Sequence, residues 1–250
     1  MKKIFPIFIL TSISCFKFNS DIPSLPFINP SGKEKYLSTG SDYIFDQNIL
    51  HDFQLIIPEL SYQMIDDDPT KEEYIEGALI FEGDTISPVG IRYKGSVGAF
   101  VGCTSGKNPF EPSGKKICKK LSMKVKIDWN GRKNKFYSLD KLQFHSQNND
   151  PSQLHERLGY WFFRSMGVAA PRSVHARLVI NGELSGLYAL TEQIDENFIR
   201  QNFDDTSGNL YKEVWPLTHK GIPSPKNSII KAIKTNKGIN TNIDIFQSFA

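Results

Sequence analysis

Two lysines on one face of a short strand are the first residues here whose types and spacing could do chemistry. In "LSMKVKIDW" (121–129), Leu121, Met123, Val125, Ile127 and Trp129 alternate with Ser122, Lys124, Lys126 and Asp128. Lys124 and Lys126 therefore share the side opposite the apolar one. Ammonium groups so aligned can bind an anion such as phosphate in a cleft, or stand on a solvated sheet face. Glu156, on a predicted helix near the edge of its apolar stripe, could reach such a lysine as a phosphate-positioning ion pair requires. An exposed helix glutamate is the alternative reading. Gly95, Gly98 and Gly102 in "GSVGAFVG" would let backbone N–H groups approach phosphates, although no Walker pattern is present.

Other chemistries find less support. The run Asp66-Asp67-Asp68 before Pro69 reads as a solvated turn, because a hard-cation cage needs oxygen ligands at several spacings. The histidines at 51, 145, 155, 175 and 219 form no HExxH arrangement, and GxSxG is absent, so a serine hydrolase is disfavoured. With 30 basic and 27 acidic residues the net charge is only +3. No basic run interleaved with aromatics occurs, and nucleic-acid binding is set aside.

The elements that must position these residues are legible in outline. "FQLIIPEL" predicts a strand, "SYQMIDDDPTKEEYI" a turn or short helical connection, and "YIEGALIFEG" and "VGIRYKG" two strands joined by a turn. Asn130-Gly131 predicts a hairpin from the lysine strand into "KFYSLDKLQF". "DPSQLHERLGYWFFRSMG" predicts a helix with Asp150 as N-cap, Pro151 in the first turn and Gln153 completing a capping box. Its residues Leu154, Leu158, Trp161 and Phe162 form one heavy apolar face, whose periodicity is expected to bury most of "GYWFF". A second hairpin turns at Asn181-Gly182, and Asp195 is expected to cap a short helix from 195 to 203. Between that hairpin and that helix stand Thr191, Glu192 and Gln193, polar residues where a buried strand would end. The pattern of strands with a packed helix indicates an α+β fold built on an antiparallel β-rich lobe.

The N-terminus reads as an address. Lys2 and Lys3 precede the apolar run "IFPIFILTSIS", which is too short to span a bilayer and describes an export signal over residues 1–19. Cys15 is either the acylated cysteine of a lipoprotein or part of a discarded signal. Residues 20–52 read as a polar tether or extended lead-in. Export leaves Cys103 and Cys118 as an even pair around a Gly/Pro/Ser/Lys-rich loop, and a disulfide between them is expected. A zinc site is disfavoured, since no ligand stands at suitable spacing nearby.

Together these motifs resemble the spore coat protein H (CotH) kinase-like family. The resemblance is carried by "VGIRYKGS", "LSMKVKIDW", the block from "DPSQLHERLGYWFFRSMG" through "APRSVHARLVINGELSGLYALTEQIDENFIRQNF", and "GNLYK". It runs from about residue 60 to about residue 215, within a lobe taken as 53–215. It implies an atypical protein-kinase-like fold that uses ATP with Mg2+ or Mn2+ to phosphorylate Ser or Thr of exported proteins. By resemblance, Lys124 or Lys126 would be the ATP-phosphate lysine, and Lys120 shares their face. Glu156 would be the ion-pair partner, "TEQID" with Glu192 would lie at a hinge beside the base, and Lys212 would begin the passage to a second lobe. The cell surface, outer envelope or extracellular space is the expected location, with membrane contact only through a lipid anchor.

The family's catalytic and metal-holding acids lie beyond "GNLYK". The Lys/Asn-rich stretch after Lys212 has one aspartate, Asp244. Residues 216–250 are therefore expected to be either the start of an incomplete C-terminal lobe, with the catalytic acids expected beyond Ala250, or a truncated tail. The chain as it stands would then bind nucleotide without catalysing. The alternative is a non-catalytic surface or adhesion module on the same scaffold.

Overall fold

Apolar residues at every second position let seven strands close on themselves. The computed structural model describes residues 40–95, 97–212, 225–231 and 234. The strands are β1 (His51–Ile56), β2 (Ile75–Phe81), β3 (Asp84–Tyr93), β4 (Met123–Lys126), β5 (Lys141–His145), β6 (Ser173–Ile180) and β7 (Glu183–Thr191). They form a closed barrel in the order β1-β2-β3-β4-β5-β7-β6. Every pairing is antiparallel except β1 with β6, so the sheet is mixed, where an antiparallel one was expected. Closure removes exposed strand edges.

The barrel interior is aromatic. Phe53 stacks on Phe81 with ring centroids 4.8 Å apart, and Phe136 and Phe144 meet Phe53 edge-on. Ile44 and Phe45 also lie in this core, so the chain leading into β1 packs against the barrel at these residues.

Among the described residues, five α-helical segments accompany the barrel: α1 (Glu59–Asp67), the turn α2 (Val97–Phe100), α3 (His155–Ser165), α4 (Glu196–Asn202) and α5 (Lys226–Lys231). The α+β expectation holds. Asn181-Gly182 makes its hairpin with both residues at positive φ, and the Asn181 side chain bridges to Ile57 N and O at 2.8 and 2.9 Å. Asp195 caps α4 by accepting from Asn197 N at 2.9 Å.

Two local expectations fail for physical reasons. Asn130 and Gly131 do adopt positive φ, but the chain does not turn straight back. It first inserts Phe136, Tyr137 and Leu139 into the core and enters β5 only at Lys141. The helix after Asp150 starts late, because Asp150 accepts from Ser152 and closes a turn of its own. Its other oxygen still reaches His155 N at 2.9 Å, where α3 begins.

Cys103 and Cys118 form the expected disulfide. The bridge Thr104↔Lys116 and the Lys116–Asp66 ion pair at 3.1 Å pin the loop they close to the end of α1. The export signal, Cys15 and most of residues 216–250 lie outside the described residues. Asp244 and Ala250 are among these, so the expectation of an incomplete second lobe with catalytic acids beyond Ala250 falls outside what the structure describes.

Candidate anion-binding cleft

The alternation that fills the barrel also builds a polar wall on its outside. Arg92 pairs across β3–β4 with Lys124, and Lys124 pairs across β4–β5 with Gln143. Their neighbours Ile91, Tyr93, Met123, Val125, Leu142 and Phe144 are buried. The rule that neighbouring strand residues face opposite ways puts Arg92, Lys124 and Gln143 outward. Lys94 lengthens this wall by one step, since its backbone N–H donates to Ser122 O at 2.9 Å. The first turn of α3 stands across from it. Between them lies a cleft of about 380 Å³, lined by Lys94, Ser122, His145, Ser146 and Glu156 among others.

A chain of hydrogen bonds crosses the cleft floor. Lys94 Nζ lies 2.7 Å from His145 Nε2, and His145 Nδ1 lies 2.5 Å from Glu156 Oε1. Thr191 Oγ1 donates to the same Glu156 oxygen at 3.1 Å and shares a hydrogen bond with Ser173 Oγ at 3.0 Å. Arg92 pairs with Glu72 at 2.5 Å, and the second Glu72 oxygen accepts from Gly95 N at 2.7 Å.

Around Lys94 and Lys124 the cations Arg92, Lys141 and Lys212 outnumber the carboxylates of Glu72 and Glu156, while Asp150 adds a further negative group to the cleft lining. Burial pushes the Lys124 ammonium down to about 8, and the cations Arg92, Lys141, Lys94 and Lys212 push the same way. Burial also lowers Lys94, with Glu156 and Glu72 opposing and Arg92 and Lys212 adding to the fall. Desolvated ammonium groups crowded by like charges are relieved by an anion. A phosphate fits this donor set. Gln147, also on the cleft lining, donates to Gln153 O at 3.1 Å and keeps a buried Oε1 without a partner, an acceptor for a hydroxyl or amine. Among the described residues no group of three His, Cys, Asp or Glu could hold a metal ion. Asp66, Asp67 and Asp68 each pair instead with a lysine: Lys116, Lys115 and Lys71.

Of the residues singled out from sequence, Glu156 lines this cleft, while Lys124 and Lys212 lie near enough to Lys94 for their charges to interact. Lys126 stands apart. It pairs with Gly90 and lies over the Trp129 ring at 5.8 Å. Lys120 also turns elsewhere, donating to Leu187 O at 2.5 Å above the Tyr188 ring. Glu192 is not free to face a base. Its buried carboxylate accepts from Arg172 Nε and backbone N, both at 3.1 Å, and from a terminal guanidinium nitrogen at 2.6 Å. Arg172 and Glu192 line a separate depression of about 410 Å³ with Asp42 and Arg164.

Lys94, His145 and Arg92 escaped the sequence reading. Their signal was available: Arg92 and Lys94 alternate with Ile91 and Tyr93, and Gln143 and His145 with Leu142 and Phe144.

Helix α3 is turned opposite to expectation. Its polar side faces the barrel: Arg157 bonds Gln47 and His175, and Arg164 donates to Pro171 O. No residue of the helix is buried, and Leu158, Trp161, Phe162 and Phe163 are each about half exposed.

Residues 91–242 match a family model described as CotH kinase protein. The matched span opens on β3 and includes every residue of the hydrogen-bonded chain across the cleft. No curated protein matches the sequence.

Proposed function

The chain belongs to the CotH kinase protein family, and on that premise we propose that the cleft beside β3–β5 holds the phosphates of ATP. The carrying observation is the cluster of Lys94 and Lys124 beneath an excess of positive charge, with Glu156 on α3 balancing it from the opposite wall. In this reading Lys94 takes the role of the phosphate lysine that sequence assigned to Lys124 or Lys126, and Lys124 supports it. Lys212 adds positive charge near Lys94 and Lys124. The backbone of the segment from Thr191 to Asp195, whose Glu192 side chain is occupied by Arg172, is the proposed hinge.

The proposed reaction is transfer of phosphate from ATP to Ser or Thr of exported proteins. A divalent cation, Mg2+ or Mn2+, when bound would neutralise charge developing on the transferred phosphoryl group. The carboxylates to hold it are not gathered among the described residues. We propose that a segment outside those residues contributes them, either before Ala250 or beyond it. Export through residues 1–19, with or without lipidation at Cys15, belongs to the same proposal.

One observation favours a second reading, a non-catalytic surface module. The half-exposed aromatics of α3 form an apolar face suited to a protein partner. Incubating the chain, and any longer form of the protein, with γ-labelled ATP and Mg2+ or Mn2+ separates the two. Self-labelling or labelling of an exported protein supports the kinase. Absence of both labelling and ATP binding leaves the surface module.

A further inference from the structure

We infer that His145 is a positioning residue that holds Lys94 in the cleft by relaying the charge of Glu156 through its ring. The inference rests on the reading of this cleft as a nucleotide-phosphate site. A lysine and a helix glutamate would pair directly in the simplest arrangement, whereas here an imidazole stands between them, 2.7 Å from one and 2.5 Å from the other.

The partners dictate the state of the ring. An ammonium only donates, and an ionised carboxylate only accepts. One neutral tautomer satisfies both: Nδ1 carries the hydrogen and donates to Glu156, while Nε2 accepts from Lys94. The other tautomer sets N–H against N–H at Lys94 and lone pair against lone pair at Glu156. A protonated ring keeps the Glu156 contact and loses Lys94. The charged groups around the relay are Lys94 and Glu156 themselves, with Glu72, Arg92, Lys124 and Lys212 interacting with Lys94 and Asp150 on the same cleft lining.

The relay joins separate parts of the fold. Lys94 follows β3, His145 ends β5, and Glu156 lies in the first turn of α3. Thr191, the last residue of β7, donates to the same Glu156 oxygen. A shift of α3 or of the segment after β7 therefore reaches Lys94 through hydrogen bonds. Because Nε2 engages only one of the three ammonium hydrogens, two remain for phosphate oxygens.

Two measurements on the full chain test the relay. Nitrogen-15 NMR of the ligand-free protein should find neutral His145 as the Nδ1–H tautomer; the Nε2–H tautomer overturns the inference. Titration with a non-hydrolysable ATP analogue and Mg2+ should find His145→Leu weakened about tenfold, the size expected for loss of a charge-assisted hydrogen bond. His145→Gln, whose amide can accept from Lys94 and donate to Glu156, should stay within about threefold of wild type. Adding Glu156→Gln to His145→Leu should cost nothing more. Wild-type affinity in His145→Leu, or equal losses in the Leu and Gln variants, overturns the relay. If the wild-type protein fails to bind the analogue, the phosphate reading fails, and the tautomer still decides the relay.

Discussion

The two faces of the wall formed by β3, β4 and β5 differ by one residue in register and by nearly everything in chemistry. Inward, Ile91, Tyr93, Met123, Val125, Leu142 and Phe144 are sealed from water. Outward, Arg92, Lys94 and Lys124 carry charge that Glu72 and Glu156 only partly balance. The inner face drives folding by apolar burial, and the outer face keeps desolvated cations that burial alone would oppose. The lesson is that one strand wall separates apolar burial on its inner side from unbalanced charge on its outer side. Substitutions on the two faces should therefore separate cleanly into stability and anion affinity.

The largest expected effect breaks the inner face. Phe81→Ala removes a ring packed among Phe53, Phe136 and Tyr137 and should cost about 3–5 kcal/mol in urea unfolding. Replacing both cysteines by serine should cost about 3 kcal/mol, since the disulfide closes a loop with a sequence separation of 15. Affinity for an anion in the cleft should change little, because the loop is pinned independently to Asp66.

Lys124→Gln sharpens the comparison because its two effects have opposite signs. The Lys124 ammonium is lowered to about 8 by burial and by neighbouring cations, so the unfolded chain holds this proton more tightly than the folded one. Its unfavourable contribution is full below pH 8 and fades as pH rises toward the ordinary lysine value. Lys124→Gln should therefore stabilise the protein at pH 7, on the order of 1 kcal/mol after allowing for partial solvation. That gain should vanish at high pH, while affinity for phosphate should fall by several-fold, less than in Lys94→Ala. Thermal melts across pH with and without phosphate check both signs. The smallest effect belongs to neither face. Asp195→Ala removes the cap of α4 and should cost ~0.5–1 kcal/mol, at the low end because burial already raises that carboxyl.

What sequence revealed follows the range of the forces involved. Alternation in "LSMKVKIDW" is local, and it gave β4 its correct inside and outside. The Asn181-Gly182 turn and the Asp195 cap are equally local, and both stand. The Asn130-Gly131 signal was also locally true, but Phe136 and Tyr137 found a place in the core, and burial of two aromatic rings outweighed a short hairpin. The helical period of α3 was readable, whereas the surface it faces was not. Arg157 and Arg164 found partners on the barrel side and turned the apolar stripe outward. Choosing between Lys124 and Lys126 needed register with β3, which sets Arg92 against one and Gly90 against the other. Lys94 falls in the predicted strand "VGIRYKG", but nothing local sets it apart from any solvated strand lysine. His145 was passed over because its partners come from other elements, and no sequence motif records that meeting.

The central claim is that Lys94 and Lys124 hold nucleotide phosphate in the cleft outside β3–β5. Calorimetric titration of ATP with Mg2+ into the full chain, beside Lys94→Ala and Lys124→Ala, tests it most directly. The account predicts binding by the wild-type protein, a loss of about tenfold or more in Lys94→Ala, and a smaller loss in Lys124→Ala, with Lys126→Ala unchanged. Wild-type affinity in both the Lys94 and Lys124 variants, or a loss confined to Lys126→Ala, would contradict it.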